Sequence, residues 1–387
     1  MTFPIALAMP APGMSVLLTL ALLALIILFH EFGHFVVAKL AGMAVYEFSL
    51  GFGHPVLLSF KRGGTQYALR PVPIGGFVRI AGMEPDEDVP HGFDKKPVWA
   101  RLAVIASGSG MNLVLAVILF WVIGLVFGEV VGSSTSLARV LPGTPAAVAG
   151  LHPGDTLVDA GPVAVTAPEV RAAPTSKPSR QMSVEQMHDF ISGRPDMPMR
   201  LVVKRGDRYL AYHLTPREEK VEDLEPTPDG PGRVVLRPVG RIGVVFADIT
   251  RPMGFWKSIK SGFVGAYEMT AVMLRLLMGM VGGKVPAAVG GPLQIADLMS
   301  DAVRVGWRQF LLWSAVISIN IGVINLLPIP ALDGSRLVFI AIEGIRRRPI
   351  DKRREAIVHL VGFALLLLLL ALVTLKDIAH LIDKYVG

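Results

Sequence analysis

Apolar runs without charge alternate along this chain with basic stretches broken by glycine and proline. Four runs come close to the roughly 20 apolar residues needed to cross a bilayer, and they predict transmembrane helices over 14–41, 102–126, 306–342 and 356–376. The third continues past Pro328 and Pro330, which break a helix. After the first run the pattern shifts to β-prone segments at 56–60 and 67–70, set around Lys61-Arg62-Gly63-Gly64 as a hairpin turn. Pro71-Val72-Pro73-Ile74-Gly75-Gly76-Phe77-Val78 follows. Non-helical backbone near a membrane has to pack on protein or line a wet cavity. Residues 52–82 therefore read as a re-entrant β-loop, with an ordinary cytoplasmic hairpin as the alternative.

The middle of the chain has the periodicity of a small soluble α+β domain over 128–217. A strand at 137–140 leads through Pro142-Gly143-Thr144-Pro145 into a short helix ending near Gly150, and Leu151 to Leu157 turn into a second strand. Val184, Met187, His188 and Ile191 stand at helical spacing, and strands at 199–203 and 209–214 pair across Arg205-Gly206-Asp207. The Pro/Ala/Ser-rich stretch 163–180 reads as a flexible insertion. Residues 218–250 read as an acidic Pro/Gly-rich linker followed by one or two strands. Over 254–300, Trp256, Ile259, Phe263, Tyr267 and Leu274 lie among Lys257, Lys260, Glu268 and Arg275. This pattern suggests an amphipathic helix on the membrane surface; a core helix or a fifth span is the alternative.

Composition agrees with a membrane domain carrying one soluble module: 387 residues, 52% hydrophobic, with a mean hydropathy of +0.53. The net charge of +7 does not indicate nucleic acid, because the positive residues flank the apolar runs. Lys61, Arg62, Arg70, Arg79, Lys95, Lys96 and Arg101 fill the first loop; Arg346, Arg347, Arg348, Lys352, Arg353 and Arg354 fill the last. Both loops are expected in the cytoplasm, and the two termini and the central domain outside it. No Lys or Arg precedes Lys39, so the first run lacks the basic start of a signal peptide. The absence of cysteine excludes disulfides and thiolate metal sites.

Within the first apolar run, where charge is expensive, stands His30-Glu31-Phe32-Gly33-His34. Residues i and i+4 share a helix face, so His30 and His34 can grip one cation, and two neutral imidazoles suit Zn²⁺ with a position left for water. Glu31 sits about 100° around the helix, within reach of that water as general base. The bland alternative is a His–Glu pair that only bridges helices. Asp333 is a lone acid in an apolar segment, either a third ligand or a helix cap. A metal transporter is disfavoured, since no second polar column runs along the other spans.

The His30–His34 cluster, the Pro73–Val78 segment and Asn325-Leu326-Leu327-Pro328-Ile329-Pro330-Ala331-Leu332-Asp333-Gly334 resemble, in this order, motifs of the site-2 protease family, more narrowly its RseP-type bacterial members. Pro142–Gly161 is similar to the PDZ domain of that group, and Gly290-Gly291-Pro292 with Ile295-Ala296 to a stretch before its third span. The resemblance implies a polytopic α-helical membrane protein of about four transmembrane helices, with a re-entrant β-hairpin loop and an inserted α+β PDZ-like domain in the periplasm. It implies a zinc metalloprotease of the bacterial inner membrane, monomeric, with its active site toward the cytoplasmic side. One Zn²⁺ per chain would be held by His30, His34 and Asp333, with Glu31 catalytic. Single-span membrane proteins would be the substrates, held by Asn325 and by Gly75, Gly76 and Phe77. Asn112 also matches a family position and reads as a packing residue. Only one PDZ-like unit is visible, His54 and Ser109 stand where proline is usual, and Ser335 where glycine is common. A non-catalytic membrane scaffold with a structural metal site is the competing function.

Overall fold

The computed structural model describes residues 14–84, 87, 89–163, 173–227, 230–282, 291–348 and 350–386. The chain forms two compact units, one from 1–125, 254–277 and 288–387, the other from 126–253 and 278–287.

The first unit begins with α1 (Met14–Leu40), continues through β1 (Val45–Phe52), β2 (Leu58–Arg62), β3 (Thr65–Leu69) and β4 (Val72–Ile80), and enters α2 (Val98–Phe127). Long apolar segments become helices because only a helix satisfies their backbone polar groups without water. α1 and α2 meet at glycines: a Cβ on Gly33 would strike the Ser107 carbonyl, and one on Gly108 would strike the rings of His34 and His30. Small residues of this kind let helix backbones approach in lipid, where packing rather than the hydrophobic effect joins helices.

The β-loop is larger than the expected hairpin. It is a four-stranded sheet in the order β2-β3-β1-β4, with β1 and β3 parallel and β1 and β4 antiparallel. Gly63 and Gly64 close the β2–β3 hairpin at φ 57° and 76°, as a turn with two positive-φ positions requires. Phe35 of α1 packs on Phe48 of β1 and Tyr67 of β3 at ring-centroid distances of 5.2 and 5.8 Å. The sheet is thereby fastened to the face of α1 below the histidines, and edge strand β4 is carried to the motif.

The second unit contains β5 (Glu129–Val140), α3 (Pro145–Ala149), β6 (Thr156–Pro162), β7 (Ala173–Thr175), α4 (Val184–Ser192), β8 (Met199–Arg205), β9 (Arg208–Leu214), β10 (Arg217–Thr227), β11 (Gly230–Arg241) and β12 (Val244–Arg251). Six strands form one sheet in the order β12-β5-β6-β8-β9-β7. Leu137, Leu157, Met187, Leu201, Val203 and Tyr212 are among its buried core. A reciprocal Ser183–Gln186 capping box starts α4. Two expectations change here. Residues 218–232 are not a linker: β10 and β11 pair antiparallel from Arg217 opposite Arg241 to Thr227 opposite Gly230, and Arg241 Nε meets Glu219 Oε2 at 2.9 Å. Acidic and proline-rich composition hid that cross-strand pairing. Of the stretch 163–180, residues 164–172 lie outside the described residues, while 173–175 form β7 against β9.

The first unit resumes with α5 (Phe255–Val281), α6 (Pro292–Val305), α7 (Trp307–Asn325), α8 (Asp333–Arg346) and α9 (Lys352–Val386). The expected third span over 306–342 is two helices, α7 and α8, separated by the Pro328/Pro330 segment with Ala331 at φ 78°. Gly290 lies outside the described residues; Gly291 N–H and Gln294 N–H, at the start of α6, donate to the buried Asp377 carboxylate of α9 at 3.2 and 3.4 Å. Among the described residues five helices are long and apolar enough to cross a membrane, by length and composition: α1, α2, α5, α7 and α9. α5, expected as a surface helix, is among them.

In the second unit, Asp155 is buried and receives both Nε and a terminal nitrogen of Arg205 at 2.7 Å, and the His152 N–H at 2.8 Å. Asp155→Ala leaves the His152 N–H without its acceptor and the guanidinium with only the Gly150 carbonyl, and is expected to destabilise the unit by about 2–4 kcal/mol. Limited proteolysis of the full chain across a urea series checks this; an unchanged midpoint contradicts it.

Candidate metal centre

α1 carries His30 and His34 on one face, and the proline-broken segment returns Asp333, the first residue of α8, to meet them. His30 Nε2 lies 3.0 Å and His34 Nε2 3.1 Å from Asp333 Oδ2, and the two Nε2 atoms are 3.2 Å apart. Among the described residues this is the group of His and acidic ligand atoms close enough to hold a metal ion. Ligands about 2.0–2.1 Å from a tetrahedral zinc stand about 3.3 Å from one another, so the triangle fits that ion. Charge balance fits too: Asp333 and Glu31 offer two negative charges among apolar helices, which one divalent cation offsets when the imidazoles are neutral.

Each of these three side chains is held by its surroundings. His34 donates Nδ1–H to the Val104 carbonyl of α2 at 2.8 Å, which leaves Nε2 with its lone pair toward the centre. Gly108 gives both rings their space. Gly334 lies so close to the Leu326 and Leu327 carbonyls that no side chain fits there. The N–H of Ala331, left-handed and two residues before Asp333, donates to His359 Nδ1 of α9 at 3.2 Å. A Cβ on Gly362 would strike Pro330, so α9 lies directly on the break. Arg101 of α2 binds Glu343 of α8 through two bonds of 3.0 and 2.8 Å and fixes the helix that Asp333 begins.

Glu31 faces the sheet. Its Oε2 accepts the Val78 N–H of β4 at 3.0 Å. Val78 stands opposite Phe48 of β1, and because its N–H points to Glu31, the outer edge of β4 borders the centre. A cavity of about 790 Å³ opens here, lined by His30, Glu31, His34, Asp333, Phe77 and Arg336, with Glu355 and His359 from α9. Of the residues expected to hold substrate, Phe77 lines this cavity, whereas Gly75, Gly76 and Asn325 do not. Asn325 is the last residue of α7.

Sequence reasoning missed Val104, Gly108 and His359. The first acts through a backbone carbonyl, which leaves no mark in a sequence. Gly108 had one, the small-residue run Ser107-Gly108-Ser109-Gly110 inside a span. His359 had a stronger one, an ionisable side chain in the last apolar run. With Glu355, one turn before it on α9, it adds polar groups to the cavity wall.

A model of peptidase family M50 matches residues 18–369. A Nostoc protein that carries a zinc metalloprotease name is 32% identical over 381 residues, covering 95% of this chain and 97% of its own length. The zinc metalloprotease RasP of Oceanobacillus iheyensis is 28% identical over 439 residues, with 91% and 96% covered. The regulator of sigma-W protease RasP of Bacillus subtilis is 27% identical over 438 residues, with 92% and 96% covered.

Gly108→Ala pushes a methyl group against both imidazoles. Overpacking of this kind costs about 1–3 kcal/mol, so affinity for zinc is expected to fall by about tenfold or more. Competition with a chromophoric chelator measures it, and wild-type affinity in the variant contradicts the crossing as the limit on the site.

Proposed function

The chain belongs to peptidase family M50, the site-2 proteases, and is an RseP-type intramembrane zinc metalloprotease of a multi-pass bacterial membrane protein class; from that premise we propose that it hydrolyses peptide bonds within or beside the transmembrane segment of single-span proteins, using His30, His34 and Asp333 as zinc ligands and Glu31 as general base. The observation that carries this reading is the convergence of three ligand atoms, from α1 and from the break before α8, within 3.2 Å of one another beside Glu31.

Zinc held by His30, His34 and Asp333 would supply the Lewis acidity for polarising a scissile carbonyl and easing deprotonation of water. Glu31 takes the proton of the attacking water on a carboxylate oxygen and delivers it to the departing amine nitrogen. Its bond to Val78 N–H keeps the carboxylate on the cavity side of α1. A substrate helix has its carbonyls tied to its own N–H groups, so it has to unwind and find other partners. The outer edge of β4, next to Glu31, is suited to pair with an extended strand. Phe77 lies on the cavity wall for a substrate side chain. Gly75 and Gly76 let backbone approach, and Asn325 holds substrate backbone; these roles rest on the resemblance.

Charge supports the sidedness. With loops 42–97 and 346–354 in the cytoplasm, α1, α2, α7 and α9 cross and α5 lies on the surface. If α5 also crossed, the Arg-rich 346–354 loop would face outward, against the positive-inside rule. Glu31 is nine residues from the end of α1, about 14 Å along the axis, so the centre opens toward the cytoplasmic half. The β-rich unit then lies in the periplasm, where as a PDZ-like domain it would exclude substrates with bulky ectodomains. The Bacillus relative is named as a regulator of sigma-W; an anti-sigma factor is one fitting substrate, and a remnant signal peptide another.

Glu31→Gln is expected to lower cleavage of a transmembrane reporter by about 10²–10⁴-fold with zinc content unchanged; full activity would end the assignment of the base. Val78→Pro removes the N–H that Glu31 accepts and disrupts the β4 edge. Reporter cleavage is expected to drop by at least about tenfold, roughly 1.4 kcal/mol for one lost charge-assisted bond, while zinc content holds. Equal cleavage would remove strand addition from the account.

A further inference from the structure

We propose that Asn112 is a positioning residue for zinc: its side-chain oxygen accepts the Nδ1–H of His30 and fixes the ring with Nε2 free to bind the metal. The inference rests on the reading of His30 as a zinc ligand and extends it to the residue that sets its tautomer.

Asn112 lies on α2 one turn beyond Gly108, the glycine over which the two imidazoles pass, and is fully buried. Its amide nitrogen is 3.4 Å from His30 Nδ1, and its amide oxygen has no hydrogen-bond partner among the described residues. The nitrogen and oxygen of an amide have the same shape, so the hydrogen bonds decide which way it points. With nitrogen toward His30, the ring accepts at Nδ1 and carries its proton on Nε2, which removes the lone pair a ligand needs. With oxygen toward His30, Nδ1 holds the proton and Nε2 is free. The rotation breaks no bond that the amide oxygen now makes. His34 shows the same logic with a different acceptor: its Nδ1 donates to the Val104 carbonyl at 2.8 Å. Each imidazole thus has one acceptor on α2 behind it and Asp333 before it.

α7 holds Asn112 in place. Ser318 Oγ donates to the Asn112 backbone carbonyl at 2.8 Å, and Gly322 leaves space beside the Asn112 Cβ. A packing role, the expectation from sequence, would be met by any apolar residue of this size; an acceptor role would not. Outer partners of metal-bound histidines are worth about 10–100-fold in metal affinity.

The test is zinc affinity of the purified full-length protein in detergent, by chelator competition, for wild type, Asn112→Leu and Asn112→Asp. The expected result is a loss of about 10–100-fold in Asn112→Leu and retained affinity in Asn112→Asp, whose carboxylate accepts the same proton. Wild-type affinity in Asn112→Leu, or an equal loss in both variants, overturns the proposal while leaving the zinc ligands intact. A wild-type protein that binds no zinc overturns the ligand reading and this inference together. Where Asn112→Leu folds poorly, nitrogen-15 NMR of histidine-labelled, zinc-loaded wild type decides: a protonated, hydrogen-bonded His30 Nδ1 is expected, and an unprotonated one refutes the role.

Discussion

Two carboxylates and two imidazoles gathered between apolar helices are tolerable only as a charge-balanced set, and this balance around one divalent cation governs the first unit. Asp333 and Glu31 come from segments 302 positions apart in sequence, and no local propensity brings them together. The helices must cross closely enough for the rings to meet the acid, hence glycine at 33 and 108. α7 must stop, hence two prolines and the left-handed Ala331 before Asp333. Each of these features is a liability for a plain membrane span and sits at the one place where the ligand set needs it.

The second consequence is the link between chemistry and substrate pairing. A single carboxylate, Glu31, faces the ligand triangle and also takes a backbone N–H from edge strand β4. The aromatic contacts of Phe35 with Phe48 and Tyr67 hold the sheet to the helix that carries the motif. On the proposed function, an extended peptide laid along β4 would lie beside Glu31 without a separate docking element. α9 completes the arrangement from the far side, its His359 and Gly362 set against the proline break.

The His30–His34 motif was legible because its periodicity and its cost in an apolar helix are both local properties. Asp333 was legible as a lone acid beside helix-breaking prolines. The partners that orient these groups were not. Val104 works through its carbonyl, and Asn112 reads equally well as packing until its distance from His30 is known. β1 was hidden because Gly51 lies within it and Gly53 directly after it, both at positive φ. The β10–β11 ladder was hidden because strand pairing is a non-local property, whereas acidic and proline content is local and suggests a linker. For α5 the sequence left surface helix and span both open; length and composition alone qualify it to cross, and only the loop charges argue otherwise.

Zinc bound by His30, His34 and Asp333 is what the chemistry proposed for this chain requires. Zinc-edge X-ray absorption of the purified full-length protein tests it most directly. We expect one zinc per chain with two imidazole nitrogens at about 2.0–2.1 Å and oxygen ligands completing the shell, with one imidazole lost from the spectrum of His34→Ala. A protein without stoichiometric zinc, or a metal shell unchanged by His34→Ala, would contradict it.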